Sequence, residues 1–226
     1  MNSTEWTGTL WLGRDYALIH GELGRTAPHA HYAHQVILAP EAPITLLIED
    51  QPRSGHEFFI EAQRVHAILQ APGRSFSLYA EPLSLDLSRL QQALSQVEWS
   101  LPALEGALRQ CPRRPVEDPR IARALLALEH SLDGKVSADT LARAANLSQS
   151  QLERLFASRI GLPIRRLVLW RRLRLALAQV LAGHSLTAAA HEAGFADSAH
   201  FSRTMKKLFG VTAARSLNRI QVRLLD

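Results

Sequence analysis

An α+β fold follows from the sequence: a small N-terminal β-barrel, then an all-α domain of two helix-turn-helix units. Three observations predict it. Seven short apolar runs recur at roughly ten-residue spacing before Pro82, the apolar period then lengthens to that of a helix, and one supersecondary pattern occurs twice in the C-terminal half. A chain of 226 residues is long enough for two modest domains with cores of their own. With 46% hydrophobic and 21% charged residues it matches neither a disordered chain nor a membrane bundle. It shows no basic start followed by an apolar run and no 18-residue apolar stretch, so a cytoplasmic chain with no membrane partner is expected. The single cysteine, Cys111, has no His or acid beside it in sequence, and it reads as an incidental thiol rather than a nucleophile.

The net charge of +5 conceals two opposite halves. Residues 1–118 hold 9 Arg and no Lys against 14 Asp and Glu, a net of −5. Residues 119–226 hold 17 basic against 7 acidic side chains, a net of +10. Such a basic half wants a polyanion, nucleic acid first, with acidic protein or lipid headgroups as the other options.

Residues 1–82 contain the runs TLWLG, YALIHGELG, QVILAP, ITLLIED, EFFIEAQ, VHAILQAPG and SFSLYAE, separated by turn residues. Their β-branched and aromatic content predicts strands of a small antiparallel barrel or sandwich. Across residues 83–110, Leu87, Leu90, Leu94, Val97, Leu101, Leu104 and Leu108 form one helical stripe. Pro102 splits it into two helices, because proline is tolerated only in a first turn. The stripe either packs on the barrel or pairs with a second subunit as a dimer interface. Residues 111–118 read as a linker, and Asp118-Pro119 as the N-cap and first residue of a helix through Ser131.

The repeat is specific. Leu152, Arg154, Phe156, Ile160 and Gly161 recur 49 residues later as Phe201, Arg203, Met205, Phe209 and Gly210, while Ala142, Asn146 and Leu147 recur 48 residues later as Ala190, Gly194 and Phe195. In each copy a first helix ends at a residue suited to a left-handed conformation, Asn146 or Gly194. A capping residue, Ser148 or Asp197, then opens a second helix, and Ser148 with Gln151 makes a capping-box pattern. Those second helices are expected over about 149–159 and 198–208. With Leu152, Leu155 and Phe156 inward, Ser150, Gln151 and Arg154 reach outward. With Phe201, Met205 and Leu208 inward, Ala199, His200, Ser202 and Arg203 do. A recognition helix reads base edges with such residues, although Arg154 and Arg203 also fit as solvated surface arginines. Residues 163–183 read as one long helix of about 30 Å, close to one DNA turn of roughly 34 Å. Some of Arg165, Arg166, Arg171, Arg172 and Arg174 on it would meet phosphates.

Residues 119–217 resemble the DNA-binding region of the AraC/XylS family of bacterial transcription regulators. The likeness rests on Ser185, Leu186, Ala190, Gly194-Phe195, Asp197-Ser198, Phe201-Ser202-Arg203, Lys206 and Phe209-Gly210-Val211-Thr212, on Ala142, Ser148, Leu152, Arg154-Leu155-Phe156 and Gly161, and on Arg172-Leu173 and Ala176. Ala213 stands where the family usually has proline, and Asn146 where it usually has glycine. The resemblance implies base-facing roles for Ser150, Gln151, Arg154, Ser198, Ala199 and Arg203, with His200 beside them. It also implies promoter DNA and RNA polymerase as partners, a possible homodimer, and a cupin-like N-terminal barrel that senses a small-molecule effector or dimerises.

The N-terminal half offers one chemical cluster, His29, His31 and His34, with His66 on a later strand. His29 and His31 share a strand face and His34 falls on the other. Glu41 lies too far along to supply the carboxylate of a cupin metal site. The histidines therefore read as structural or as pocket-lining, with His29, His31 and His66 the candidate effector contacts. A Zn or Fe site is the weaker alternative, and no cofactor is expected. A regulator without enzymatic activity is the favoured reading. The other is a metal-dependent cupin enzyme with an accessory DNA-binding domain.

Overall fold

The structure is a computed structural model that describes residues 6–131, 137–213 and 220–224. The chain packs as two units, Met1–Arg114 with Ser202–Asp226, and Pro115–Phe201.

In the first unit the strands are β1 (Thr7–Leu12), β2 (Tyr16–Glu22), β3 (His34–Leu38), β4 (Ile44–Ile48), β5 (Gln51–Gly55), β6 (Glu57–Ile60), β7 (His66–Gln70) and β8 (Arg74–Ala80), all but β5 falling on the apolar runs. They build a six-stranded sheet of order β6-β3-β8-β2-β1-β9, completed by β9 (Ile220–Leu224), and a three-stranded sheet of order β5-β4-β7. Among the described residues neither sheet closes on itself. The expected barrel is thus replaced by two open sheets, because the strands divide between two separate ladders. Two strands went unread in the sequence. β5 has the polar sequence QPRSG, but it pairs with β4 across a two-residue turn whose Glu49 and Asp50 both have positive φ (49° and 62°). Its edge position tolerates Pro52, which has no N–H to give to a ladder. β9 runs parallel to β1, with Leu10 opposite Val222, a partnership that no local pattern reveals.

The leucine stripe forms α1 (Leu87–Leu94) and α2 (Leu101–Gln110), with Pro102 in the first turn of α2. Leu90, Leu94, Leu104 and Leu108 are buried with Leu18, Val36 and Leu78 in one core, each worth about 1.5–3 kcal/mol of burial. Residues 112–118, which follow Cys111 at the end of α2, form neither helix nor strand. Arg113 fastens this segment to the sheet side, with Nε and Nη2 each 3.0 Å from the carboxylate oxygens of buried Asp15. Cys111 is buried in the same core, and burial pushes its thiol pKa up, away from a nucleophile's range.

The second unit holds α3 (Pro119–Glu129), α4 (Ala138–Ala144), α5 (Gln149–Ile160), α6 (Ile164–Leu181) and α7 (Leu186–Glu192). α8 (Ser198–Phe209) starts in it and continues, from Ser202, in the first unit. Asp118 caps α3 by accepting from the Arg120 N–H, with Pro119 next, as the dipeptide predicts. At 18 residues α6 is about 27 Å long. The expected domain end at residue 217 lies outside the described residues.

Candidate nucleic-acid interface and buried histidine cluster

Both helix-turn-helix copies close their turns with the same bond. The Leu147 N–H donates to Ala142 O at 2.9 Å, and the Phe195 N–H donates to Ala190 O at 2.9 Å. The residue before each donor is left-handed, Asn146 at φ 55° and Gly194 at φ 75°. Gly194 has a second reason to lack a side chain, since a Cβ there would lie 3.1 Å from the Arg172 guanidinium carbon.

In the first copy Ser148 Oγ accepts the Gln151 N–H at 3.3 Å and Gln151 Oε1 accepts the Ser148 N–H at 2.8 Å, a complete capping box. Leu152 and Phe156 are buried and Leu155 half-buried, so the inward stripe is as expected. Ser150, Gln151 and Arg154 are exposed. The carbonyl end of Gln151 is already committed to the cap, a constraint that sequence reasoning missed.

In the second copy Asp197 Oδ1 accepts the His200 N–H at the start of α8. Phe201 and Met205 are buried and Leu208 half-buried. Ala199 and Arg203 are exposed, while Ser198, His200 and Ser202 are half-buried. The ring of His200 sits edge-on to Phe195 at 5.3 Å, with Nδ1 3.4 Å from the Ala196 N–H, so this side chain also braces the turn. On α6, Arg165 and Arg166 are exposed, and Arg171 and Arg174 half-buried. Arg172 turns inward against Gly194, where burial lowers its pKa.

The histidines separate into a cluster and an outlier. One ring nitrogen from each of His29, His31 and His66 lies within 4.8 Å of the others, and all three residues are buried. They do not meet through alternation on a shared strand. β3 begins only at His34, and His29 is held by a single bridge to His66. His34 stands apart, its Nδ1 accepting the Ala62 N–H at 3.1 Å. Burial, reinforced by the neighbouring imidazoles, pushes the pKa values of His29 and His31 down to about 3, and burial lowers that of His66. Gln35, Ser77, Tyr79 and Phe209 complete the surroundings. Of these only Gln35, four residues beyond His31, was within reach of a local sequence reading.

A family model described as a helix-turn-helix domain matches residues 141–219. A probable transcriptional regulator, LumQ of Photobacterium leiognathi, is 26% identical over 181 residues, spanning 79% of this chain and 70% of that protein. The apo K231A form of ToxT from Vibrio cholerae superposes with a TM-score of 0.58 at 11% identity, covering 88% of this chain and 96% of its own. A transcriptional regulator from Chromobacterium violaceum, described as an AraC-type DNA-binding domain-containing protein, is 27% identical over 44% of this chain and 95% of its own, with a TM-score of 0.40. With the duplicated turn and capped helix of each copy, the family match shows that residues 141–219 form a helix-turn-helix domain, and the chain as a whole is similar to a transcriptional regulator.

Proposed function

We propose a one-component regulator in which residues 119–217 read promoter DNA and residues 1–82 respond to an effector, with 83–110 steadying that domain and 111–118 as linker. Ser150, Gln151 and Arg154 from α5, and Ser198, Ala199, His200 and Arg203 from α8, are the base-facing set. Arg165 and Arg166 engage phosphates, which fix register without reading sequence. The observation that carries this reading is the pair of like turns, each opening a capped helix whose N-terminal half presents polar side chains outward. Exposed arginine there suits bidentate bonds to guanine. The effector contacts are His29, His31 and His66. Family resemblance adds RNA polymerase and a homodimer as partners. The alternative of a metal-dependent enzyme is the weaker, because the histidine group includes no carboxylate among the described residues.

The test is binding of the full chain to duplexes selected from a random pool. Arg203→Ala should weaken the selected site by about 1–3 kcal/mol and relax one base position, whereas Arg165→Ala should weaken all sequences alike and flatten the salt dependence. Equal losses for Arg203→Ala on selected and random duplexes would remove it from the base-reading set.

A further inference from the structure

His29 and His66 are tied by two main-chain bonds. The His29 N–H donates to His66 O at 2.9 Å, and the His66 N–H donates to His29 O at 3.0 Å. Each of the three rings then places Nδ1 against a main-chain carbonyl: Ala27 O at 2.8 Å for His29, Ala33 O at 2.8 Å for His31, and Arg64 O at 2.9 Å for His66. A carbonyl oxygen only accepts, so these contacts set the proton on Nδ1 and the lone pair on Nε2. Outer carbonyls fix the tautomer and direction of metal-bound histidines in the same manner.

Two details are costly without a cation. The Nε2 of His66 is buried with no hydrogen-bond partner. Gln35 donates its NH2 group to Ser77 Oγ at 2.9 Å and Tyr79 Oη at 3.1 Å, which turns its Oε1 toward His31 Nε2 at 3.2 Å. A neutral His31 ring has one N–H for two oxygens, Ala33 O and Gln35 Oε1, so one contact sets acceptor against acceptor.

We propose that His29, His31 and His66 bind a divalent transition-metal ion of the zinc class through their Nε2 atoms, with a fourth position beside Gln35 for water, an anion or the Gln35 carbonyl. Imidazole suits such ions, and three protein ligands with one open position is a standard zinc arrangement. Zn–N bonds of about 2.0–2.1 Å in a tetrahedron separate ligand atoms by about 3.4 Å. One ring nitrogen from each histidine already lies within 4.8 Å of the others, somewhat wider than that spacing. The last turn of α8 borders the site. Phe209 lies 5.7 Å from the His31 ring, Gly210 O accepts the Ala27 N–H at 3.1 Å, and a Cβ on Gly210 would lie 2.9 Å from His29 Nδ1. An ion here is therefore placed to act on the end of a helix proposed to read DNA. The inference rests on reading this cluster as the effector site and names the effector's class.

The experiment uses the full chain stripped with a chelator. Zn²⁺ is titrated against a chromophoric chelator, and Co²⁺ binding is followed by its visible absorption. One ion per chain is expected. His66→Gln and His29→Gln should lower affinity by at least about 100-fold, and His34→Gln should leave it within a few-fold. Failure to bind one ion, or unchanged affinity in both cluster variants, overturns the site. If the variants do not fold, the Co²⁺ spectrum of the unaltered chain decides: intense tetrahedral bands support the site and weak six-coordinate bands overturn it. DNA affinity is measured separately. A chain that binds DNA but no metal refutes only the site, and one that binds metal but no DNA refutes only the DNA reading.

Discussion

The two units handle polar groups in opposite ways. In the first, Asp15, His29, His31, His34, Gln35, His66 and Glu81 are buried. In the second, every buried side chain among the described residues is apolar, from Ile121 and Leu128 to Phe195 and Phe201, and the charges lie outside on Arg154, Arg165 and Arg166. Burying an ionisable group costs free energy unless bonds or a ligand compensate. A fold that retains such groups inside suits a small ligand. One whose buried residues are apolar, with Arg172 turned partly inward and other arginines displayed, suits an extended polyanion, where contacts made at the surface are enough.

Acid should expose this difference most strongly. His29 and His31 have folded pKa values near 3, far below the ordinary 6.5. The unfolded chain therefore binds more protons below pH 6.5, and stability is full above that value and lost as pH falls toward 3. Urea midpoints of metal-free protein should drop steadily from pH 7 to pH 4, and a flat profile would break the contrast. Next in size is Arg113→Ala, which leaves the buried Asp15 carboxylate without its bidentate partner. It should cost about 3 kcal/mol in chemical unfolding. A surface change such as Arg154→Ala should stay within about 0.5 kcal/mol in the same assay. An effect smaller than that of Arg113→Ala sharpens the picture inside the helical unit. Gly194→Ala, left-handed and crowded by Arg172, should cost about 1–2 kcal/mol. Asn146→Gly in the matching turn should be neutral or slightly stabilising. A loss at Gly194 no larger than the roughly 1 kcal/mol of left-handed strain alone would show that Arg172 packing contributes nothing.

The helical half was legible because its signals are local. A left-handed turn residue, a cap three residues before its partner and an apolar stripe of period 3.6 each act within one or two turns, so the sequence alone located α5 and α8 to within a residue or two. Pro102 likewise marked the start of α2 by its missing N–H. In the β half only the apolar runs were visible. β5 escaped notice because an edge strand facing solvent needs no apolar alternation. β9 escaped because its partner lies some two hundred residues away. The sequence pointed to the histidines, but not to how they meet. His29 and His31 lie before β3, and a bridge to His66 rather than strand alternation draws them together, with Gln35, Tyr79 and Phe209 gathered around them.

The sequence by itself determined the change from strands to helices, the duplicated turn and the outward arginines, since each depends on neighbours a few residues apart. Tertiary structure alone decided that the strands form two open sheets, that the last strand joins the first, and that three imidazoles share one buried point. Those outcomes depend on pairings between distant segments, and many such pairings satisfy the same local pattern equally well until the whole core is packed.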